Sequence, residues 1–341
     1  MDRLVLHYPD GHQAHSYPGH PERPERVEVI REALLEAGWW DPFSKLHPLT
    51  IPNEILQTVH TPAYLSVLEM ACQRGSFLDM DTYTTPASWE LALNAAGGAA
   101  AIAQAVWGGQ AQRGFALTRP PGHHATPGQG MGFCLLNNIA IAAEYLIKGA
   151  GVQRLAIVDL DLHHGNGTQD IFWERADVFY LSTHQSPLYP GTGRIDQRGS
   201  DEGEGYTANF PLPPYSGDQA FQAVMKDLIL PLLDRFSPEM ILVSYGFDTH
   251  WLDPLGSLLL SANGYRDTVA HLVNWADQHC KGRICLFLEG GYDLDAARAC
   301  SLAVVSALLG LDWQDPLGPA PQPEGRLWQN MVQYARNLWE L

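Results

Sequence analysis

A short segment in the middle of the chain carries side chains suited to bind a metal ion. It reads DLDLHHGNG (159–167) and follows the apolar run Leu155–Val158. Residues two apart in an extended segment point the same way, so Asp161 and His163 can aim a carboxylate and an imidazole at one point. Ligands of open α/β sheets commonly bind at the carboxyl ends of the strands. The segment therefore predicts half of a divalent-metal site, with further groups from elsewhere in the chain.

Three other segments offer those groups. Asp248 ends the apolar run SYGF (244–247) and is the natural third ligand, although an aspartate after a strand is also a common helix N-cap. The tandem pair His123 and His124 lies in a Gly/Pro-rich loop, where functional residues concentrate. Tyr292 follows two glycines after another apolar run, and its alternative role is to cover the core at a turn. The convergence of these segments decides in favour of a site.

The elements that must position these residues alternate along the chain. Short β-rich runs are separated by longer helical patterns, which indicates crossover units and a parallel sheet covered on both faces. The predicted fold class is α/β. The expected strands are Leu4–Tyr8, Gly114–Thr118, Leu155–Asp161, Val178–Thr183, Met240–Tyr245 and Ile284–Glu289. The expected helices are Arg23–Ala37, Pro62–Cys72, Ala87–Trp107, Asn137–Lys148, Asp218–Phe236, Gly264–His279 and Leu294–Leu309.

The length allows one large or two ordinary domains, and residues 1–311 contain no internal repeat or low-complexity linker, so we expect one domain there. A Pro/Gly-rich segment and an amphipathic helix, Arg326–Leu341, would form residues 312–341 and pack on the domain or at an oligomer contact. The oligomeric state stays open. The net charge of −17 argues against direct nucleic-acid binding and against an anionic membrane surface. Five cysteines without a CxxC pair, and no apolar run of roughly 18 residues, favour a cytoplasmic protein.

Taken in order, these segments resemble the histone deacetylase superfamily, and their sequences are most similar to those of its class II branch. That branch includes bacterial histone deacetylase-like amidohydrolases and acetylpolyamine amidohydrolases. The resemblance covers Leu4–Leu311. Its motifs are GHPERPER (19–26), RPPGHHA (119–125), GFC (132–134), DLDLHHGNGT (159–168), YPGTG (189–193), GFD (246–248) and EGGY (289–292). The implied fold is the arginase–deacetylase fold, a single parallel sheet flanked by helices on both faces.

The resemblance implies a zinc-dependent deacetylase that hydrolyses N-acyl amides of lysine side chains. Asp161, His163 and Asp248 would bind one Zn²⁺ per chain, with Fe²⁺ as the alternative native metal. His124 would act as general base on a metal-activated water, and Tyr292 would donate its hydroxyl to the oxyanion. Two further residues would orient the histidines, Asp159 for His123 and Asn166 for His124. Some relatives have an aspartate at the position of Asn166.

The resemblance also assigns substrate and potassium positions. Phe133 and Tyr189 would form the aromatic pair that lines the acyl-lysine tunnel, and Gly132 would be a further substrate position. Cys134 and Gly290 would lie near the acyl methyl. Leu255 occupies the loop position that is acidic in polyamine-preferring relatives, and Arg26 would lie near the acetate channel. A structural K⁺ would be bound by backbone carbonyls of Asp159, Asp161, His163, Ser182 and Thr183, and a second by those of Phe172, Arg175, Val178 and Tyr206.

Several functions remain open at this point. Leu255 replaces the acidic residue of the polyamine-preferring relatives, which favours an acyl-lysine peptide or protein as substrate over an acetylpolyamine or another small acylated amine. A binding protein without turnover would be expected to have lost Tyr292, His123 or His124, and all three are present. Arginase-type chemistry would need a second metal with more Asp and His ligands. The acyl-chain preference is also open.

Overall fold

The computed structural model describes residues Asp2–Leu341. Eight strands form one sheet in which every paired strand runs parallel to its neighbour. They are β1 (Asp2–His7), β2 (Ser44–Lys45), β3 (Ala111–Ala116), β4 (Leu155–Asp159), β5 (Val178–Gln185), β6 (Thr207–Leu212), β7 (Met240–Tyr245) and β8 (Ile284–Leu288). Their order across the sheet is β2-β1-β3-β8-β7-β4-β5-β6. The α/β prediction is thereby confirmed.

Helices connect the strands. They are α1 (Glu25–Glu36), α2 (Asn53–Val59), α3 (Pro62–Arg74), α4 (Ser88–Trp107), α5 (Asn138–Ala150), α6 (Asn166–Phe172), α7 (Asp218–Val224), α8 (Leu230–Phe236), α9 (Ala262–His279), α10 (Leu294–Leu309) and α11 (Trp328–Trp339). A π-helical turn, Met225–Ile229, joins α7 to α8. Among the residues described, no helix has both the length and the apolar character needed to span a bilayer.

The sheet is buried on both faces, with a separate apolar core on each. In β4 every residue is buried, and alternate side chains enter different cores. Ala156 and Val158 pack into one core, whereas Leu155 and Ile157 pack into the other. This two-sided burial explains why the strands are continuous apolar runs rather than alternating patterns.

The structure corrects the expected elements at several points. Both edge strands, β2 and β6, were absent from the prediction, because β2 has two residues and β6 contains Pro211, which usually marks an edge. The short helices α2 and α6 were also absent. β4 ends at Asp159 rather than Asp161, although backbone bonds from Leu160 to Ser244 and from Gln185 to Leu162 continue beside it.

The C-terminal segment packs against the domain. Glu324 accepts hydrogen bonds from the backbone of Gly217, Gln219 and Ala220 at 2.8–3.0 Å, at the start of α7. Val332 and Trp339 of α11 are buried in the core. The boundary at residue 311, and any oligomer contact by this helix, stay predictions.

Candidate active site

Three potential metal ligands converge where β4 and β7 end. One ligand atom from each of Asp161, His163 and Asp248 lies within 4.8 Å of the others. His163 Nδ1 is 3.2 Å from Asp161 Oδ1 and 3.3 Å from Asp248 Oδ2. β4 and β7 are adjacent in the sheet, so residues distant in sequence meet at one edge. The structure therefore brings together the three residues that the sequence singled out.

The two carboxylates are oriented by the backbone. Gly290 N–H donates to Asp161 Oδ2 at 2.8 Å, and Leu162 N–H donates to Asp248 Oδ1 at 3.1 Å. Asp248 Oδ2 is buried and accepts no hydrogen bond from the residues described. A buried carboxylate oxygen left in this state is costly unless a cation compensates it. Two carboxylates and one imidazole form a donor set that suits a catalytic Zn²⁺, so the residues fit the implied metal.

Two glycines make room around these carboxylates. A Cβ at Gly246 would lie 2.0 Å from Asp161 Oδ2, and a Cβ at Gly290 would lie 2.1 Å from Asp248 Oδ2. Neither distance is possible without displacing the carboxylates. Glycine is therefore required at these positions of the GFD and EGGY motifs, because any side chain would collide with the carboxylates.

His123 lies beside two carboxylates. Its Nδ1 is 3.1 Å from Asp159 Oδ2, and its Nε2 is 3.7 Å from Asp161 Oδ1. Burial lowers the pKa of His123, but Asp159 and Asp161 outweigh burial and raise that pKa to about 10. The Tyr180 hydroxyl also donates to Asp159 Oδ2, at 3.1 Å. His123 is therefore held in its charged form.

His124 has the opposite electrostatic environment. Burial, followed by the neighbouring His123 and His163, places the pKa of His124 well below its usual range. Its Nδ1 is 2.8 Å from Asn166 Oδ1. Because an amide oxygen can only accept, Nδ1 carries the proton and Nε2 is free to take one. The imidazole is neutral and oriented as a base.

Tyr292 follows β8 in the chain and is buried. Burial raises the pKa of its phenol well above the usual value, so the hydroxyl remains a donor. Its ring makes an edge-on contact with Phe133, with centroids 5.8 Å apart, and the Arg26 guanidinium lies 4.9 Å from its centroid. Its backbone N–H donates to Asp253 Oδ2 at 2.6 Å.

A cavity of about 270 Å³ leads to this centre. The aromatic pair Phe133 and Tyr189 lines it as expected, and Tyr189 is 41 % exposed at the rim. The cavity is lined by Asp81, His124, Gly132, Phe133, His163, Leu188, Tyr189, Leu255 and Tyr292. Cys134 and Gly290 lie outside this lining. Cys134 is fully buried, and Gly290 contacts the ligand carboxylates.

Several residues of this centre were not identified from the sequence. Asp81 and Leu188 line the cavity, and Asp253 contacts the backbone of Tyr292. Glu289 accepts hydrogen bonds from the backbone of Gly122 and His123 at 2.7 and 3.1 Å. Glu289 begins the EGGY motif and Leu188 directly precedes the YPGTG motif, whereas Asp81 lies outside all of the motifs given above.

A second cluster of possible donors adjoins the first. His123, Cys134 and Glu289 approach one another closely, but each has another role. Glu289 accepts from three donors, because Ser244 Oγ also donates to it at 3.0 Å. Burial raises the pKa of Cys134 well above its usual value, so its thiol stays protonated. This cluster therefore holds the backbone of the loop that carries His123 and His124, through the hydrogen bonds to Glu289.

The remaining expected positions are distributed around the centre. Arg26 is buried, and its Nε donates to Gly291 O at 2.6 Å, so it is no surface charge. Ser182 and Thr183 are buried in β5, next to the end of β4. The second potassium set lies in α6, in β5 and in the loops beside them, namely Phe172, Arg175, Val178 and Tyr206. Their potassium roles stay predictions.

Comparison with known proteins gives one consistent family. The histone deacetylase domain model matches residues 20–308. A probable deacetylase of Archaeoglobus fulgidus is 42% identical over 313 residues, covering 91% of this chain and 86% of that protein. The histone deacetylase-like amidohydrolase of Pseudomonas aeruginosa is 37% identical over 295 residues, covering 86% and 78%. The crystal structure of the HDA15 HD domain superposes with a TM-score of 0.89 at 34% identity, covering 99% of this chain and 95% of that one. The chain belongs to the histone deacetylase family and is a deacetylase or amidohydrolase.

Proposed function

We propose that this enzyme hydrolyses N-acetyl or other N-acyl amides of lysine side chains in peptides or proteins, with Zn²⁺ as its metal. The observation that carries the proposal is the placement of His123 against Asp159 and of His124 against Asn166 beside the ligand cluster, with Tyr292 lining the same cavity as His124. These groups are the parts required to attack an amide, stabilise the oxyanion and protonate an amine.

Asp161, His163 and Asp248 would hold the metal. When bound, the ion supplies Lewis acidity towards the amide carbonyl and makes water a better nucleophile at neutral pH. One ion per chain is expected from one cluster of three available donors. That stoichiometry distinguishes this chemistry from arginase-type catalysis with two metals.

The two histidines have different roles. His124 Nε2 accepts the proton of the attacking water, because Asn166 holds the proton of the ring at Nδ1. The leaving amine then takes this proton from His124 Nε2, which returns the imidazole to its neutral form. His123 remains charged beside Asp159 and adds positive potential next to the developing oxyanion.

Tyr292 supplies the hydrogen bond to that oxyanion. Two carboxylate ligands neutralise the formal charge of a divalent ion. The oxyanion therefore needs an additional hydrogen-bond donor from the protein. The phenol is suited to this role because its high pKa keeps it protonated. By family resemblance we propose that Arg26, next to the Tyr292 ring, lies at the acetate channel. We also propose that the backbone carbonyls named above bind K⁺.

The cavity favours an uncharged aliphatic stem. Phe133, Tyr189 and Leu255 give it apolar walls, which match the methylene chain of an acylated lysine. Leu255 offers no charge to a second ammonium group. Both features support acyl-lysine over a polyamine.

One observation favours a second candidate, an acetylpolyamine or other small acylated amine. Asp81 contributes to the cavity lining, and its side chain is exposed. A carboxylate at this place can attract the distal ammonium of an acetylated diamine. Leu255 and Asp81 thus favour different substrates.

The deciding experiment compares turnover of an acetyl-lysine peptide and N-acetylputrescine by the zinc-loaded protein, with Tyr292→Phe as control. We expect a higher kcat/KM for the peptide and a loss of about 100-fold or more in the Tyr292→Phe variant. Preference for the diamine, reduced by Asp81→Asn, would support the second candidate instead. Turnover of either substrate that does not depend on Tyr292 would contradict the proposed mechanism.

A further inference from the structure

Asp253 belongs to the loop that carries Leu255, and its carboxyl contacts the backbone of the loop that carries Tyr292. It is only 6 % exposed. Its Oδ2 accepts hydrogen bonds from the backbone N–H of Tyr292 at 2.6 Å and of Asp293 at 3.2 Å. Its Oδ1 accepts from the backbone N–H of Leu255 at 3.0 Å. One carboxylate thus fixes the backbone of two residues that line the cavity.

The loop that carries Tyr292 needs such an anchor. Residues 289–293 belong to no helix or strand, and Gly291 has a φ of +112°, a conformation that glycine adopts most easily. Asp161 and Arg26 hold the backbone of Gly290 and Gly291, and Asp253 holds the N–H of Tyr292 itself. A shift of its N–H would move the phenol oxygen, and a misplacement of about 1 Å can reduce catalysis by about 100-fold.

The surroundings explain how the carboxylate can be buried there. All three hydrogen bonds to it come from backbone N–H groups. Asp293 is the N-cap of α10, so the carboxylate also lies at the positive end of that helix dipole. These interactions offset part of the cost of burial, which an apolar residue would avoid altogether.

We propose that Asp253 is a positioning residue that holds the Tyr292 hydroxyl in place for the oxyanion. The inference rests on the proposed function, in which Tyr292 donates to that oxyanion. Asp253 itself is absent from the cavity lining, so it acts through the backbone of Tyr292.

A double-mutant cycle tests this inference on the zinc-loaded enzyme with the acetyl-lysine peptide. Its members are Asp253→Asn, Tyr292→Phe and the double variant, each measured for kcat, KM and bound zinc. We expect Asp253→Asn to lower kcat about tenfold or more, with KM within about twofold and zinc content unchanged. In the Tyr292→Phe background the same change should cost less than about twofold, because the positioned hydroxyl is already absent.

Asp218→Asn is the matched control. Asp218 is a half-buried carboxylate that accepts from the Ser261 backbone at 2.8 Å, and it does not line the cavity. Its substitution should lower the unfolding midpoint without changing kcat. Should Asp253→Asn fail to fold, Asp253→Ser retains one acceptor oxygen and enters the same cycle.

The outcomes separate the two proposals. An equal loss in both backgrounds, or a wild-type kcat for Asp253→Asn, would overturn the positioning role and leave the function of Tyr292 intact. A wild-type kcat for Tyr292→Phe would instead overturn the oxyanion role from which the inference starts.

Discussion

At the scale of single residues, the adjacent histidines differ because their Nδ1 partners differ. His123 lies next to the carboxylate of Asp159, and His124 lies next to the amide of Asn166. The carboxylate raises one pKa to about 10, while burial keeps the other low. The carboxylate of Asp159 and the amide of Asn166 thus favour opposite protonation states of the two rings, together with Asp161 at His123 and with the two neighbouring histidines at His124.

Replacing Asn166 with Asp should therefore change the pH dependence of catalysis. A carboxylate beside Nδ1 favours the charged imidazole and raises the pKa of His124. His124 must be neutral to act as base, so the acidic limb of kcat/KM should move to higher pH, by about one pH unit or more. The measurement is a pH profile of kcat/KM for the acetyl-lysine peptide.

Asn330→Asp is the control for that profile. Asn330 is an exposed residue of α11, and its substitution alters the net charge by the same amount. Its acidic limb should coincide with that of the wild type. An unmoved limb in Asn166→Asp would exclude His124 as the base that controls it.

At the scale of elements, the site consists of loops that follow parallel strands. The apolar runs that predict β4, β7 and β8 also place the residues after them at one sheet edge. Convergence of Asp161, His163 and Asp248 was therefore predictable from the sequence. The contact between Asp253 and Tyr292 was not, because it joins two irregular loops whose paths depend on tertiary packing.

Gly290→Ala tests how closely these loops must approach. The added Cβ would lie 2.1 Å from Asp248 Oδ2 and 2.7 Å from Asp161 Oδ2, which forces the two carboxylates apart. We expect lower zinc content and a fall in kcat/KM of about 100-fold. Zinc per chain and turnover are measured on the same preparation.

Gly149→Ala provides the comparison, since nothing lies within 4 Å of a Cβ at that helical position. It should retain full zinc content and activity. Normal zinc binding by Gly290→Ala would mean that the ligands adjust to the extra methyl group, contrary to the steric argument.

At the scale of the whole molecule, several histidines are buried in the neutral form. His60 is the clearest example, because both of its ring nitrogens form hydrogen bonds. Nδ1 lies 2.9 Å from Thr126 O, and Nε2 accepts from Asn137 N–H at 2.9 Å. Burial lowers the pKa of His60 to about 4. Folding thus requires that this imidazole has no charge.

His60→Gln should make stability less dependent on pH. Between pH 6.5 and 4 the unfolded chain binds a proton at His60 that the folded chain does not, so acidification destabilises the wild type. The difference in the free energy of unfolding, wild type minus variant, should fall by up to about 3 kcal/mol from pH 7 to pH 4. Urea unfolding of both proteins across this range gives the difference, and a constant difference would contradict the prediction.

The division of the ligands between β4 and β7 has a consequence for folding. Leu162 and Asp248, which hydrogen-bond beside the centre, are 86 positions apart in the chain. The strands before them, β4 and β7, are neighbours in the sheet, although β5 and β6 lie between them in the chain. Contacts between such distant segments form slowly, because their closure entropy must be overcome first. A chain in which β4 and β7 have not yet paired therefore lacks the complete set of proposed ligands, and the proposed metal site is complete only after these strands pair.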